Sequence, residues 1–458
     1  MKMPIWFCGW LCLVMPVFAA MTAEHDRSFQ VGVAKIDITP AYPIRLCGYA
    51  VRKSESTEVA QKLWAKALVI GSDKDGPAIL LTVDNTGVPA HVRNEVARRL
   101  QEVKKISPDH VALCSTHTHT APCLAGNLPT LFGEPIPPEH QAHIDRYTRE
   151  LIDALEKVAL QALKERKAAR LSWGQTQAGF AANRRTKGGP VDHDLPVLVA
   201  KDKKGGLRAV LANYACHCTT LGGEHNQICG DWAGYAQEYL ERDHPGAIVL
   251  VSIGCGADAN PQPRTGIDFA KQHGLEIATN VNQLLTQTLT PLRGKLACRA
   301  KALTLPFDSL PTRAEWEERA KDTSYSGYHA RWTLAKLDRG ESLPTILPYL
   351  VQTWTFGDDL AMVFLPGEVV VDYALRLKQE FDGARFWIHA YANDVPCYIP
   401  SRRILKEGGY EGGGAMIFYG LPAKLALETE DFIVGAVHEL LSRDFLKTKT
   451  TTSAPAAN

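Results

Sequence analysis

Apolar positions along this chain follow two rhythms. Short apolar runs at residues 31–36, 65–70, 78–83, 198–200, 209–215 and 247–253 read as buried strands. Residues 91–103, 142–167, 231–242 and 276–289 have a helical pattern. Gly71-Ser72-Asp73 and Lys203-Lys204-Gly205-Gly206 supply turns between strands, and Asp37-Ile38-Thr39-Pro40 ends the first strand. In the second half, residues 349–356 and 360–365 read as a hairpin around Gly357-Asp358-Asp359. Helices are expected at 369–381 and 421–441, and a polar helical stretch at 313–339 reads as a peripheral cover. Strands alternating with helices of this length predict an α/β fold: a layered mixed β-sheet with flanking helices and a site at the strand ends.

The two ends of the chain differ from the rest. Lys2 precedes an apolar stretch at 5–20 with small residues at its close, which reads as a signal peptide over 1–20, cleaved as late as 23. The stretch is short for a span, which needs roughly 20 apolar residues, and no later segment is long enough. A secreted or periplasmic protein is expected, with no stable transmembrane segment after signal removal. A single catalytic domain is expected over 27–445, and the Thr-, Ala- and Pro-rich tail at 446–458 reads as disordered.

Composition adds little beyond exclusion. With 45% hydrophobic residues, 22% charged and a net charge of +1, nothing points to nucleic acid or an anionic membrane surface. A small-molecule or lipid substrate is the expected partner, and the oligomeric state stays open. Cys8 and Cys12 lie in the leading segment, which leaves nine of the 11 cysteines. An odd number leaves at least one unpaired or bridging to another chain, and their apolar surroundings read as buried free thiols.

The chemistry gathers where apolar runs end. Val111-Ala112-Leu113 leads into Cys114-Ser115-Thr116-His117-Thr118-His119-Thr120. Residues two apart on a strand share a face, so His117 and His119 are expected to point together as a candidate metal pair. Asn213-Tyr214-Ala215-Cys216-His217 closes another strand with a histidine, and the flanking Cys216 and Cys218 face the other way. Gly254-Cys255-Gly256-Ala257-Asp258-Ala259-Asn260-Pro261 closes a third strand. Leu365-Pro366-Gly367-Glu368 ends a fourth, and Tyr398, Tyr410 and Glu411-Gly412-Gly413-Gly414 occupy a late loop. Open α/β sheets bind ligands beyond their strand ends, so these blocks can converge.

Taken in order, these blocks resemble the catalytic domain of the neutral/alkaline non-lysosomal ceramidases. The likeness runs from Val31-Gly32-Val33-Ala34-Lys35-Ile36-Asp37-Ile38-Thr39-Pro40 to about Tyr419. It implies a Zn2+-dependent amidohydrolase of lipid metabolism that cleaves a linear N-acyl amide, as the family does in the sphingolipid ceramide. It implies His117, His217, Glu368 and Tyr398 as metal ligands, Tyr410 as a second active-site tyrosine and Arg184 as a substrate-binding residue. In the family's glycine-aspartate-x-serine-proline-asparagine block, Asn260 stands where the family has serine. The chain also ends where ceramidases continue into a β-sandwich.

These residues suggest how hydrolysis proceeds without a serine. A metal lowers the pKa of water and polarises a carbonyl, so metal-activated water is the expected nucleophile. Asp258 or His119 is the expected general base or orienting partner, and Asn260 and Tyr410 the expected donors to the oxyanion. Other readings stand beside these. Glu368 can cap the following helix, Tyr398 can be a core aromatic and Asp258 a turn residue. The same centre also suits an ester or lactone hydrolase, and the Ser-to-Asn difference suits an inactive ceramidase-like binding protein.

Overall fold

The computed structural model describes residues 28–447. The signal-peptide segment and most of the expected tail lie outside them. A nine-stranded mixed sheet forms the centre. Its order is Val111–Ser115, Ala78–Val83, Trp64–Ile70, Phe29–Asp37, Lys167–Gln177, Asp194–Asp202, Leu207–Tyr214 and Ile248–Ile253, with Thr290–Pro291 beside Lys167–Gln177. The pairs at the two edges of that row are parallel and those between are antiparallel.

A second, four-stranded sheet stacks on the first. It runs Leu296–Pro306, Ile346–Phe356, Leu360–Phe364 and Phe386–His389. Period-two alternation explains how Leu360–Phe364 serves two layers. Leu360, Met362 and Phe364 face the large sheet and join Leu68, Leu80, Trp173 and Leu250. Ala361 and Val363 face the other way, toward Ile433 and Val437 of helix Thr429–Leu440. Each large side chain buried between the sheets contributes about 2–3 kcal/mol.

On the opposite face of the large sheet lie helices Ala90–Lys104 and Pro138–Lys164. The longer one buries Ile144, Tyr147, Leu151, Leu155, Val158 and Ala162, a three-and-four spacing that makes one apolar stripe. The result is the layered mixed α/β arrangement expected.

Several boundaries move. The helix read over 142–167 stops at Lys164, because Lys167 already starts an 11-residue strand in the middle of the sheet. That strand alternates exposed and buried positions weakly, so the charged residues at its start concealed it. Strands Leu296–Pro306 and Phe386–His389 were not foreseen either. Residues 313–339 form two helices, Arg313–Arg319 and Tyr325–Asp338, the first begun by a Thr312–Glu315 capping box. The helices read over 276–289 and 421–441 are Ile267–Leu285 and Thr429–Leu440. The hairpin around Gly357 forms as read.

Candidate active site

Five chain segments reach one point from the C-terminal ends of strands. Strand Val111–Ser115 ends two residues before His117. His117 and His119 are therefore not neighbours on a strand face, and the period-two argument does not apply. Instead the backbone turns at His117, which adopts a left-handed conformation with φ 58°. That conformation costs a non-glycine residue about 1–2 kcal/mol. It is held by Thr116 N–H donating to Val83 O at 2.9 Å and by the His117 ring bonding to Thr86 O at 2.5 Å.

His217 follows strand Leu207–Tyr214. Its backbone N–H donates to Ala259 O at 3.0 Å, tying it to the loop after strand Ile248–Ile253. That loop lies so close that a Cβ on Gly256 would stand 2.5 Å from the Cys216 nitrogen, so no larger residue fits. His119 N–H donates to Cys218 O at 3.2 Å, which joins the two histidine loops.

The three imidazoles share one polarity. Each Nδ1 faces a backbone carbonyl: Thr86 O at 2.5 Å for His117, Gly48 O at 3.1 Å for His119 and Gly256 O at 2.9 Å for His217. A carbonyl only accepts, so each Nδ1 carries the hydrogen and each Nε2 presents a lone pair. The Nε2 atoms of His117 and His119 are 3.0 Å apart. The Glu368 Oε2 is 3.2 Å from His117 Nε2 and 3.1 Å from His217 Nε2. Lone pairs and a carboxylate this close repel unless a cation lies among them. The donor set therefore fits a metal ion, and His117, His119 and His217 form a group that can hold one.

Burial and charge set the protonation of this cluster. Burial and the adjacent imidazoles hold His119 well below the usual histidine value. Burial, then the Arg184 charge, brings His217 down to about 4. Burial alone raises the Glu368 carboxyl, yet His117 and His217 hold it well below the usual carboxylate range. Neutral imidazoles, the form favoured at His119 and His217, are the form that ligates a cation.

Glu368 is fixed by two tyrosines. Tyr419 Oη donates to its Oε1, and Tyr391 Oη lies 3.5 Å from its Oε2. A two-residue parallel ladder pairs Glu368 with Tyr398 and Val369 with Ile399, which places the Tyr398 ring beside the same point. Tyr398 Oη is 3.4 Å from His217 Nε2 and accepts from Arg184 Nη2 at 2.9 Å. Arg184 is clamped by Glu411, Nε to Oε1 at 2.7 Å. Glu368 does not cap the next helix. Asp258 does so: its Oδ1 accepts from the N–H of Val371, the first residue of helix Val371–Glu380, at 2.8 Å.

The Asp258 carboxylate is thereby engaged in holding structure. Its Oδ2 accepts from Asn183 Nδ2 at 3.2 Å, and the side chain is buried away from the cavity. A second short ladder, Ala259–Pro261 against Ala181–Asn183, sets Asn260 beside Arg184. Asn260 Oδ1 accepts from Thr219 Oγ1 at 3.4 Å and Arg184 Nη1 at 3.5 Å, so its amide nitrogen is left to donate outward. Tyr410 is 47% exposed, its ring centroid 5.3 Å from that of Tyr398.

A cavity of about 790 Å³ opens here. His119, Arg184, Asn260, Tyr398 and Tyr410 line it, whereas His117, His217 and Glu368 lie behind. All nine cysteines among the described residues are free, eight of them buried, and none joins the cluster. Sequence reasoning missed the supporting Tyr391 and Tyr419 and gave Glu411 no role. A tyrosine 51 positions from the carboxylate it holds leaves no mark in local sequence.

Three imidazoles at strand ends of a layered α/β fold, beside an open cavity, form a candidate metal centre. Residues 29–252 match the family model of the neutral/alkaline non-lysosomal ceramidases, N-terminal part. The chain is 24% identical over 272 residues to a neutral ceramidase of Drosophila pseudoobscura pseudoobscura, covering 54% of this chain and 37% of that protein. A neutral ceramidase of Pseudomonas aeruginosa is 21% identical over 345 residues, covering 68% of this chain and 49% of the other. Those stretches span less than half of each relative's length. The crystal structure of neutral ceramidase from Pseudomonas aeruginosa superposes with a TM-score of 0.70 at 19% identity, over 91% of this chain and 75% of that one. The chain is therefore similar to the neutral/alkaline non-lysosomal ceramidases, in sequence over residues 29–252 and in fold over 91% of its length, the likeness that its ordered motifs indicated.

Proposed function

We propose that this protein is a metal-dependent hydrolase that cleaves an N-acyl amide bond of a small-molecule or lipid substrate. The observation that carries this reading is the shared polarity of the three imidazoles: every Nδ1 is committed to a carbonyl, the Nε2 atoms of His117 and His217 face Glu368, and that of His119 faces His117. His117, His217, Glu368 and Tyr398 hold the ion. Two histidines and a carboxylate suit Zn2+, and a tyrosine oxygen is compatible with it. When bound, such an ion supplies Lewis acidity and lowers the pKa of water.

The residues facing the cavity do the rest. His119 keeps its Nε2 lone pair at neutral pH and takes a proton as general base. Asn260 donates from its amide nitrogen, and Tyr410 from its hydroxyl, to the oxygen on which charge develops. Arg184, fixed by Glu411, binds substrate and holds Tyr398 in place. Asp258 is a positioning residue. It ties the Asn183–Arg184 segment to the helix after Glu368. The apolar segment at 5–20 supports export across a membrane.

The test pairs elemental analysis of the purified protein with mass-spectrometric detection of products from mixed N-acyl and O-acyl compounds. Bound metal with release of free acid from the amides is expected. Release from the esters alone gives the ester or lactone hydrolase instead. Bound metal with no turnover across the panel gives the inactive binding protein.

A further inference from the structure

The cavity has an unbalanced charge. Three arginines line it, Arg184, Arg185 and Arg264, against two carboxylates, Glu407 and Glu411. Both carboxylates are engaged. Glu411 pairs with Arg184 and Arg185 at 2.7 Å each, and Glu407 with Arg185 at 3.1 Å. Arg264 is left over. It donates to Tyr49 Oη at 3.2 Å, and its Nε–H is buried with no partner. Among the described residues it has no carboxylate oxygen within 4.0 Å.

The wall behind it adds to the imbalance. Arg52, 3% exposed, stacks 4.8 Å from the Tyr49 ring and donates only to backbone carbonyls, those of Cys47, His119, Gly222 and Gly223. Glu224, on the adjoining turn, pairs with neither guanidinium within 4.0 Å. Buried Asp231 is occupied by the N–H groups of Leu221 and Trp232. Two guanidinium groups around one tyrosine, neither in a salt bridge with Glu224 or Asp231, leave a surface of positive charge in a partly desolvated cavity. Charge in such a place attracts an opposite charge far more strongly than in water.

Arg264 is also held in place. Thr265 N–H donates to Thr220 O at 2.7 Å, and the His273 ring bonds to Pro263 O at 2.7 Å. Tyr49, its hydrogen-bond partner, packs against His119 with ring centroids 5.1 Å apart. The free cation therefore stands one side chain beyond the proposed base.

We propose that the substrate carries an anionic group, a carboxylate or sulfonate, on the same molecule as the scissile amide, and that Arg264 binds it. The class is an N-acylated amino acid or aminosulfonic acid rather than an amide of an uncharged amino alcohol. A guanidinium is the side chain best matched to a planar carboxylate, and its fork also fits a sulfonate. The inference rests on the amidohydrolase reading above and names the substrate for that same cavity.

The experiment compares N-lauroylglycine, N-lauroyltaurine and N-lauroylethanolamine on the full-length, metal-loaded protein. The acyl chain is constant, so only the head group varies. The anionic amides are expected to exceed the ethanolamide in kcat/KM by about tenfold or more. Arg264→Gln should remove that preference through KM while leaving the ethanolamide rate within about twofold, and Arg264→Lys should restore part of it. Equal rates for charged and neutral amides, or an equal loss for both in Arg264→Gln, overturns the proposal while amide hydrolysis stands. If no amide is hydrolysed, calorimetric titration with N-lauroylglycine decides separately. Binding to wild type that Arg264→Gln weakens by about tenfold supports the anion site, and equal binding ends it.

Discussion

The Oε2 of Glu368 and the Nε2 of His117 stand 3.2 Å apart, and neither atom carries a hydrogen for the other. The His117 Nδ1 hydrogen goes to Thr86 O, which leaves a lone pair on Nε2 facing the carboxylate. A contact that lacks its own hydrogen bond is one that a cation completes. His217→Ala and Glu368→Gln should therefore each lower metal affinity by about 100-fold, since each removes a ligand atom and leaves its partners intact. Elemental analysis after dialysis against a weak chelator measures this.

His119 faces the cavity where His117 does not, so its removal should act on rate. His119→Ala should reduce kcat by about 10²–10³-fold while metal content falls far less than in His217→Ala. Metal loss equal to that of His217→Ala assigns His119 to the ligand set instead. Gly48→Ala probes the same residue from behind. A Cβ there would meet the His119 ring at 2.5 Å, and the φ of 96° already disfavours it. Turnover should drop with metal retained.

Asn260 offers its amide nitrogen to the cavity, a donor that cannot serve as a nucleophile. Asn260→Ala should keep metal and lower kcat by about 10²-fold, the cost of one oxyanion donor. A fully active variant refutes the oxyanion role.

Glu411 is 3% exposed and neutralises two arginines at once. Glu411→Gln leaves those charges uncompensated at the cavity wall, and a lost partner in a buried pair costs about 3 kcal/mol. The arginines are partly exposed, so a loss nearer 2 kcal/mol is expected in denaturant unfolding, together with a raised KM.

Acid stability has an identifiable contributor. His389 is fully buried, stacked on Phe364 at 4.7 Å, and its Nδ1 accepts from Ser252 Oγ at 2.9 Å. Burial lowers its pKa from 6.5 to about 3. The unfolded chain thus takes up a proton that the folded one refuses. Its share of stability is complete above pH 6.5 and is lost as pH falls from there toward 3, by at most about 5 kcal/mol. His389→Gln in metal-free protein should flatten the stability profile across that window.

Much of this protein was written locally. Apolar runs set most strands of the large sheet, because a strand buried on both faces needs little else. The order of Thr-His-Thr-His, the strand-end His217, Pro-Gly-Glu and the paired tyrosines carried the family likeness. Other features depended on partners far along the chain. Lys167–Gln177 is a strand because it has neighbours on both sides, not because of its own pattern. His117 points correctly through a left-handed turn anchored by Val83 and Thr86, not through strand periodicity. That the Asp258 carboxylate meets the helix at Val371 leaves no mark in its local sequence. Tyr419, Tyr391 and Glu411 acquired roles only when distant loops met. Short-range pattern determines which segments are buried, since burial is a property of each residue's own chemistry. Which buried polar groups face one another is decided by loops packed together, and only the tertiary structure shows those pairings.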